Sequence, residues 1–176
     1  MNSLRQNQDS PLSANGRFGR LSYLGWNMLL GLITVLIVTI IALIAPSILP
    51  TNPSEKLSIA TIVFFVIIYA FMIYFSFIFT IRRLHDRDHS GWLSLVIFIP
   101  IINFFFILYL IFAPGTQGSN NFGAPRITKT WEKFLGWMYV LIFPLGILAA
   151  ISIPAYQDYV KRAQQMQLEQ NINHSE

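Results

Sequence analysis

The chain contains no cysteine among its 176 residues, which excludes disulfides, thiol nucleophiles and thiolate-bound metals. Charge is also scarce, because Asp, Glu, Lys and Arg make up only 11% of the residues, against about 25% in soluble domains. The net charge is +4 and the basic residues form no continuous run. A nucleic-acid binder would present a continuous basic face, so no nucleic-acid partner is expected.

Apolar residues are abundant instead, and they form four long stretches without a single charge. These are Ser22–Ala45, Ser58–Thr80, Trp92–Phe112 and Phe134–Ile153. At about 1.5 Å per helical residue, about 20 residues cover the roughly 30 Å hydrocarbon core of a bilayer. The sequence therefore predicts an all-α, polytopic transmembrane helical bundle with four hydrophobic segments, in contact with membrane lipids.

The third stretch leaves two topologies open. Pro100 and Asn103 lie near its middle, and a proline there removes a backbone donor and bends or breaks the helix. The stretch therefore either crosses with a kink or enters and returns as a re-entrant hairpin, and its length favours crossing. If the chain crosses the membrane four times, eight of the 12 Lys and Arg residues lie on the same side as the N-terminus. With a hairpin, nine of them lie on that side. Both counts predict a cytoplasmic N-terminus in a bacterial inner membrane.

Much of the charge outside the tails lies in a short loop after the second stretch. The loop combines three arginines with two aspartates and two histidines, which favours a self-neutralising anchor at the membrane surface. An alternative is that it forms a cytoplasmic site, together with the arginines before the first stretch, that binds or transports an anionic small molecule or lipid headgroup. The candidate residues for this site are Arg17, Arg20, Arg82, Arg83, His85 and Asp86.

No set of catalytic or metal-binding residues is evident. His85 and His89 are four residues apart and would share a helical face, but this spacing is common by chance and no metal site is assigned. Ser90 lacks the Gly-x-Ser-x-Gly context of a hydrolase nucleophile. The apolar stretches contain no ionisable residue of the kind that a proton or ion path needs. We therefore expect no enzymatic activity and no cofactor.

The motifs also follow one another in a recognisable order. They are Gly16-Arg17-x-x-Arg20-x-x-Tyr23-x-x-Trp26-Asn27, Arg82-Arg83-Leu84-His85-Asp86-x-x-x-Ser90-Gly91-Trp92, Ile99-Pro100, and a loop that contains Gly115, Gly118, Asn121 and Gly123. This succession resembles the domain of unknown function 805 family. The resemblance implies a small bacterial inner-membrane protein and no particular activity. It places a membrane domain at residues 16–130. The polar composition of residues 1–15 separately predicts a disordered tail.

A second resemblance concerns the C-terminal part, residues 131–176. Gly146–Gln164 resembles the N-terminal helix of a type IV pilin, although Glu132-Lys133 stands at the pilin processing junction and Trp137 at the intramembrane glutamate. The resemblance implies contact with a type IV pilin component. Independently, the small residues Gly146, Ala149 and Ala150 allow close helix packing, either within the bundle or in a homo-oligomer. The polar residues after this stretch, Ala155–Gln170, are compatible with a continuing helix.

Overall fold

The computed structural model describes residues 10, 12–46 and 58–173, with the backbone alone for 168–173. These residues form no β-strand. The helices are α1 (Arg20–Ile44), α2 (Ile59–Asp86), a 3₁₀ helix η1 (Gly91–Phe98), α3 (Ile102–Phe112) and α4 (Thr130–Asn173). The predicted tail at 1–15 lies largely outside the described residues, as does the connection at 47–57.

Three helices are long and apolar enough to cross a membrane: α1, α2 and Thr130–Gln167 of α4. The all-helical prediction is thus confirmed for the first, second and fourth apolar stretches. Helix α2 continues beyond its apolar part through the charged residues up to Asp86. Helix α4 continues through the polar residues after Ile153, as predicted, with Pro144 and Pro154 inside it.

The third apolar stretch is interrupted, and a continuous fourth crossing is not confirmed. Its two parts, η1 and α3, have 8 and 11 residues, which at about 1.5–2 Å per residue is too short for a bilayer. The chain turns between them at Pro100 and Ile101, and Ile101 has a φ of 70°. This conformation is a genuine outlier for a β-branched residue, which marks a tight turn.

Both ends of this interrupted segment lie at the same end of helices α1 and α2. Gly91 begins it beside α2, where a Cβ would lie 2.9 Å from the side chain of Ile81. At the other end, the carbonyl oxygen of Leu110 accepts a hydrogen bond from Arg83 in the last turn of α2. Between them, the Phe98 ring lies 5.3 Å from the ring of Phe77. We call residues 91–113 the η1–α3 hairpin.

Buried side chains are concentrated at this end of the helix pair. In α1 the buried residues are Ser22–Gly25 and Leu30. In α2 all the buried residues except Thr61 lie between Ile78 and Asp86. The opposite ends of α1 and α2 expose apolar side chains on most sides, as a helix surrounded by lipid does. The functional motifs therefore lie at the packed end.

The chain divides into two compact units, Met1–Met138 and Tyr139–Glu176. The first unit contains the helix pair, the hairpin and the first turns of α4. The second is the rest of α4, and it carries the small residues Gly146, Ala149 and Ala150. Among the described residues, a Cβ on Gly146 would meet no atom within 4 Å.

Candidate functional site: a buried arginine–aspartate cluster

The carboxylate of Asp86, in the last turn of α2, binds two arginines. Its Oδ1 accepts hydrogen bonds from Nε and Nη2 of Arg17 at 3.1 and 3.0 Å. Its Oδ2 accepts one from Nη1 of Arg83 at 2.5 Å. Arg17 and Arg83 are 1% and 0% exposed. We call Arg17, Arg83 and Asp86 the Asp86 cluster; it is a buried group of charges that compensate one another.

Arg17 also binds the loop that follows the hairpin. Its Nη1 donates to the carbonyl oxygens of Gly118 and Gly123 at 2.7 and 3.1 Å. Its Nη2 donates to the carbonyl oxygen and the hydroxyl of Thr116 at 2.7 and 3.1 Å. The planar fork of a guanidinium suits such a set of fixed acceptors. Arg17 thereby joins the segment before α1 to α2 and to the 115–123 loop.

Arg83 makes the equivalent connection to the end of α3. Its Nε donates to the carbonyl oxygen of Leu110 at 2.8 Å, and its Nη2 donates to that of Ala113. Carbonyl groups in the last turn of a helix have no partner within the helix and carry partial negative charge. A buried arginine satisfies them, so the hairpin is fixed where it leaves the apolar region.

The three glycines of the motif loop each meet a steric requirement. A Cβ on Gly115 would lie 2.1 Å from Oδ2 of Asp86, which is closer than any real contact. Gly118 and Gly123 have φ angles of 75° and 108°, in the region that glycine adopts without strain. The predicted motif glycines therefore allow the loop to approach the Asp86 cluster and to turn around it.

The same loop caps the C-terminal end of α2. The amide of Thr116 donates to the carbonyl oxygen of Asp86 at 2.8 Å, and Nδ2 of Asn120 donates to that of His85 at 2.7 Å. The Asn121 side chain donates to Oδ2 of Asp88 at 3.1 Å. The first two of these bonds give carbonyl groups in the last turn of α2 a partner outside the helix.

The other candidate arginines have different surroundings. The guanidinium of Arg82 lies 4.1 Å from the centre of the Phe18 ring, and its Nη1 donates to the carbonyl oxygen of Ser10 at 2.6 Å. Arg20 is exposed and donates to the carbonyl oxygen of Phe112 at 3.4 Å. Arg17, Arg82 and Arg83 are thus buried by the protein itself, and Arg20 is the exposed member of the predicted set.

The two histidines do not converge on a common point. The His85 ring stacks on Phe122 with centroids 3.8 Å apart, and its Nδ1 lies 3.3 Å from the carbonyl oxygen of Gly16. His89 instead contacts the hydroxyl of Tyr109 through Nε2 at 2.8 Å. Over the described parts of the chain, no three His, Cys, Asp or Glu side chains are grouped as metal ligands.

A second buried cluster, which the sequence analysis missed, is centred on Glu132 in the first turn of α4. Its carboxylate accepts hydrogen bonds from both terminal nitrogens of Arg126 at 2.8 and 2.7 Å. It also accepts from the Ser22 hydroxyl at 2.9 Å and the Trp26 indole at 3.0 Å. We call these four residues the Glu132 cluster. One signal was present, because Glu132 is the only acidic residue between Asp88 and Asp158.

Glycines bring α4 close to α1 beside the Glu132 cluster. A Cβ on Gly25 would lie 2.5 Å from the carbonyl oxygen of Glu132, and one on Gly136 would lie 2.8 Å from that of Leu21. The contacts pair the helices in opposite chain order. Small residues permit this backbone approach in membrane helices, so the first turns of α4 are closely packed on the start of α1.

Comparison with known proteins places these features in a family. Residues 11–124 match the family described as protein of unknown function (DUF805). Inner membrane protein YhaI of Escherichia coli (strain K12) is 46% identical over 43 residues, which are 24% of this chain and 36% of that protein. Inner membrane protein YhaH of the same strain is 45% identical over 42 residues, 24% and 35% of the two chains. Each match spans about a third of the relative's length, and no solved structure matches significantly.

The apolar helices and these relatives define an α-helical protein of the bacterial inner membrane. The chain belongs to the DUF805 family, because the match covers residues 11–124 of 176. It includes all three members of the Asp86 cluster, and it includes Ser22 and Trp26 of the Glu132 cluster but ends before Arg126 and Glu132. The pilin-like segment also lies beyond it, so contact with a pilin stays a prediction.

Proposed function

We propose that this is a multi-pass inner-membrane protein without enzymatic activity, which acts through contacts of its helices with lipids and with other membrane helices. The observation that supports this proposal is the saturation of the Asp86 cluster. Each nitrogen of Arg17 and Arg83 already donates to a protein oxygen. A buried charge is costly unless it is paired and hydrogen-bonded, so we assign the motif arginines a structural role.

We further propose that the η1–α3 hairpin is re-entrant and that the N-terminus is cytoplasmic. The proposal is supported by the meeting of three motif segments, those around Arg17, Asp86 and Gly118, at one end of α1 and α2. A full crossing between Asp86 and Gly118 would separate these segments by the thickness of a bilayer. The abundance of arginine at this end favours the cytoplasmic side.

A second candidate function, contact with an anionic lipid headgroup, is favoured by the exposure of Arg20. Its guanidinium makes one long hydrogen bond, to Phe112, at the entrance of a membrane helix, and basic side chains near the surface attract anionic lipids. Of the six residues predicted from the sequence to form the anion site, this proposal uses Arg20, the exposed arginine.

The structural role of the Asp86 cluster and the lipid contact of Arg20 can be tested separately. Variants are purified, and the amount of co-purified anionic phospholipid and the melting temperature in detergent are measured for each. Arg83→Ala should lower the melting temperature and leave the lipid content unchanged. Arg20→Ala should leave the melting temperature unchanged and reduce the lipid content. Loss of lipid from Arg83→Ala at an unchanged melting temperature would show that the buried cluster is a ligand site, contrary to the proposal.

A further inference from the structure

The Met1–Met138 unit contains different amounts of protein at its two ends. At the end with the Asp86 cluster, η1 and α3 lie beside α1 and α2, whereas the described residues at the opposite end are those of α1 and α2 and the adjoining Ala45, Pro46 and Ser58. The two hairpin arms are each about 16 Å long from their residue numbers and helical rise. Helix α2, with 28 residues, is about 42 Å long. The hairpin therefore accompanies less than half of α2.

From this asymmetry we propose that the unit acts as a wedge in one leaflet of the membrane and prefers bilayers in which that leaflet is the convex one. The inference rests on the re-entrant placement of the hairpin proposed above. Each helix has a diameter of about 10 Å, so two hairpin arms add the cross-section of two helices to one leaflet and none to the other. Expansion of one leaflet alone stresses the bilayer, and this stress is relieved when the bilayer curves so that the expanded leaflet is convex.

The surface of the hairpin indicates that lipid chains surround it. No residue from Gly91 to Ala113 is charged, and apolar side chains around the turn are exposed, with Ile101 at 79%, Phe104 at 61% and Phe105 at 63%. Exposed apolar surface of this extent is costly in water. Acyl chains of the same leaflet are the occupant that matches a charge-free surface.

The two ends of the hairpin are held at the membrane surface, which keeps the wedge in one leaflet. Trp92, at its start, is 80% exposed, and tryptophan is enriched at the depth of the headgroups. At its other end, the Phe112 carbonyl binds exposed Arg20. Insertion of apolar surface from one side of a bilayer is sensitive to curvature, so this geometry predicts a preference that a symmetric bundle would lack.

The preference can be measured with the full chain carrying Gln117→Cys, because the natural sequence has no cysteine and Gln117 is exposed in the motif loop. The protein is reconstituted into small sonicated and large extruded vesicles of phosphatidylcholine. An impermeant thiol reagent then reports the fraction of molecules with the loop outside, relative to full labelling in detergent. The wedge predicts a higher outside fraction in small vesicles, where the outer leaflet is strongly convex, than in large ones.

A matched pair of variants tests whether the hairpin causes this bias. Phe104→Asn with Phe105→Asn makes the turn region polar and should abolish the difference, whereas Phe104→Leu with Phe105→Leu keeps it apolar and should retain it. Equal outside fractions in small and large vesicles for the Gln117→Cys protein would overturn the wedge. So would a bias that persists in the asparagine variant. Failure of the re-entrant topology is detected separately, by labelling of Gln117→Cys from outside the cell.

Discussion

Charged residues at the end of α2 are buried together, which supports the structural role proposed for them. Removing one partner of a buried ion pair leaves an uncompensated charge and costs about 3–5 kcal/mol. Asp86 lies between Arg17 and Arg83, so its removal would leave two buried cations. The family motif residues in this region are therefore explained by stability before any ligand is considered.

A double-mutant cycle between Arg17 and Asp86 tests this explanation. Arg17→Ala and Asp86→Ala should each lower the free energy of unfolding by about 3–5 kcal/mol. The double variant should cost less than the sum, because the two residues share one interaction. Denaturant unfolding in detergent micelles gives the values, with Gln117→Ala in the same loop as an exposed control that should have no effect. Additive losses would mean that the two side chains act independently.

The residues of the Asp86 cluster could be predicted as a group, but the partners that each of them binds could not. Arg17, Arg83 and Asp86 were singled out because charge is rare near the apolar stretches. Their other partners are mostly backbone oxygens, such as those of Gly118 and Leu110, and a carbonyl group leaves no signal in a sequence. From the sequence, a self-neutralising anchor was favoured and anion binding was left as an alternative; in the structure each nitrogen of Arg17 and Arg83 donates to a protein oxygen.

Among the secondary-structure elements, helices were predicted correctly where the sequence is continuously apolar over a long stretch. Helices α1, α2 and α4 follow from length and hydropathy. The third stretch was ambiguous, because hydropathy cannot show on which side a chain re-emerges after a turn at Pro100. The turn and the return contact between Arg83 and the end of α3 are tertiary features. Glu132 was missed for a similar reason. Two residues that bind it, Ser22 and Trp26, precede it by more than 100 residues, and the third, Arg126, lies in the connection before α4.

Packing between α1 and α4 gives a prediction with a control on the same helix. Gly25→Ala should destabilise the protein, since its Cβ would lie 2.5 Å from the backbone oxygen of Glu132 and the helices would have to separate. A Cβ on Gly31 would meet no atom of the described residues within 4 Å. Gly31→Ala should therefore be neutral or slightly stabilising, because alanine favours a helix by about 1 kcal/mol over glycine.

The melting temperatures of the Gly25→Ala and Gly31→Ala variants in the same detergent test this packing. A lower value for Gly25→Ala alone supports close packing of the first turns of α4 on α1. Equal values for both variants would show that this contact contributes nothing to stability.

In the whole molecule, three distant motif segments meet at one end of α1 and α2, and we propose that this end lies on one side of the membrane. The buried residues of α1 and α2 are concentrated at the end where these segments join. This arrangement explains why the motifs are spread over residues 16–125 and still form one cluster. It requires the chain between Asp86 and Gly118 to begin and end on the same side.

Single-cysteine labelling shows on which side of the membrane this connection lies. Gln117→Cys and Pro46→Cys are each introduced into the cysteine-free chain, and spheroplasts are treated with an impermeant thiol reagent. Pro46 is exposed just after the far end of α1 and should be labelled from outside. Gln117→Cys should react only after the membrane is opened. Labelling of Gln117→Cys in intact spheroplasts as readily as Pro46→Cys would contradict the account.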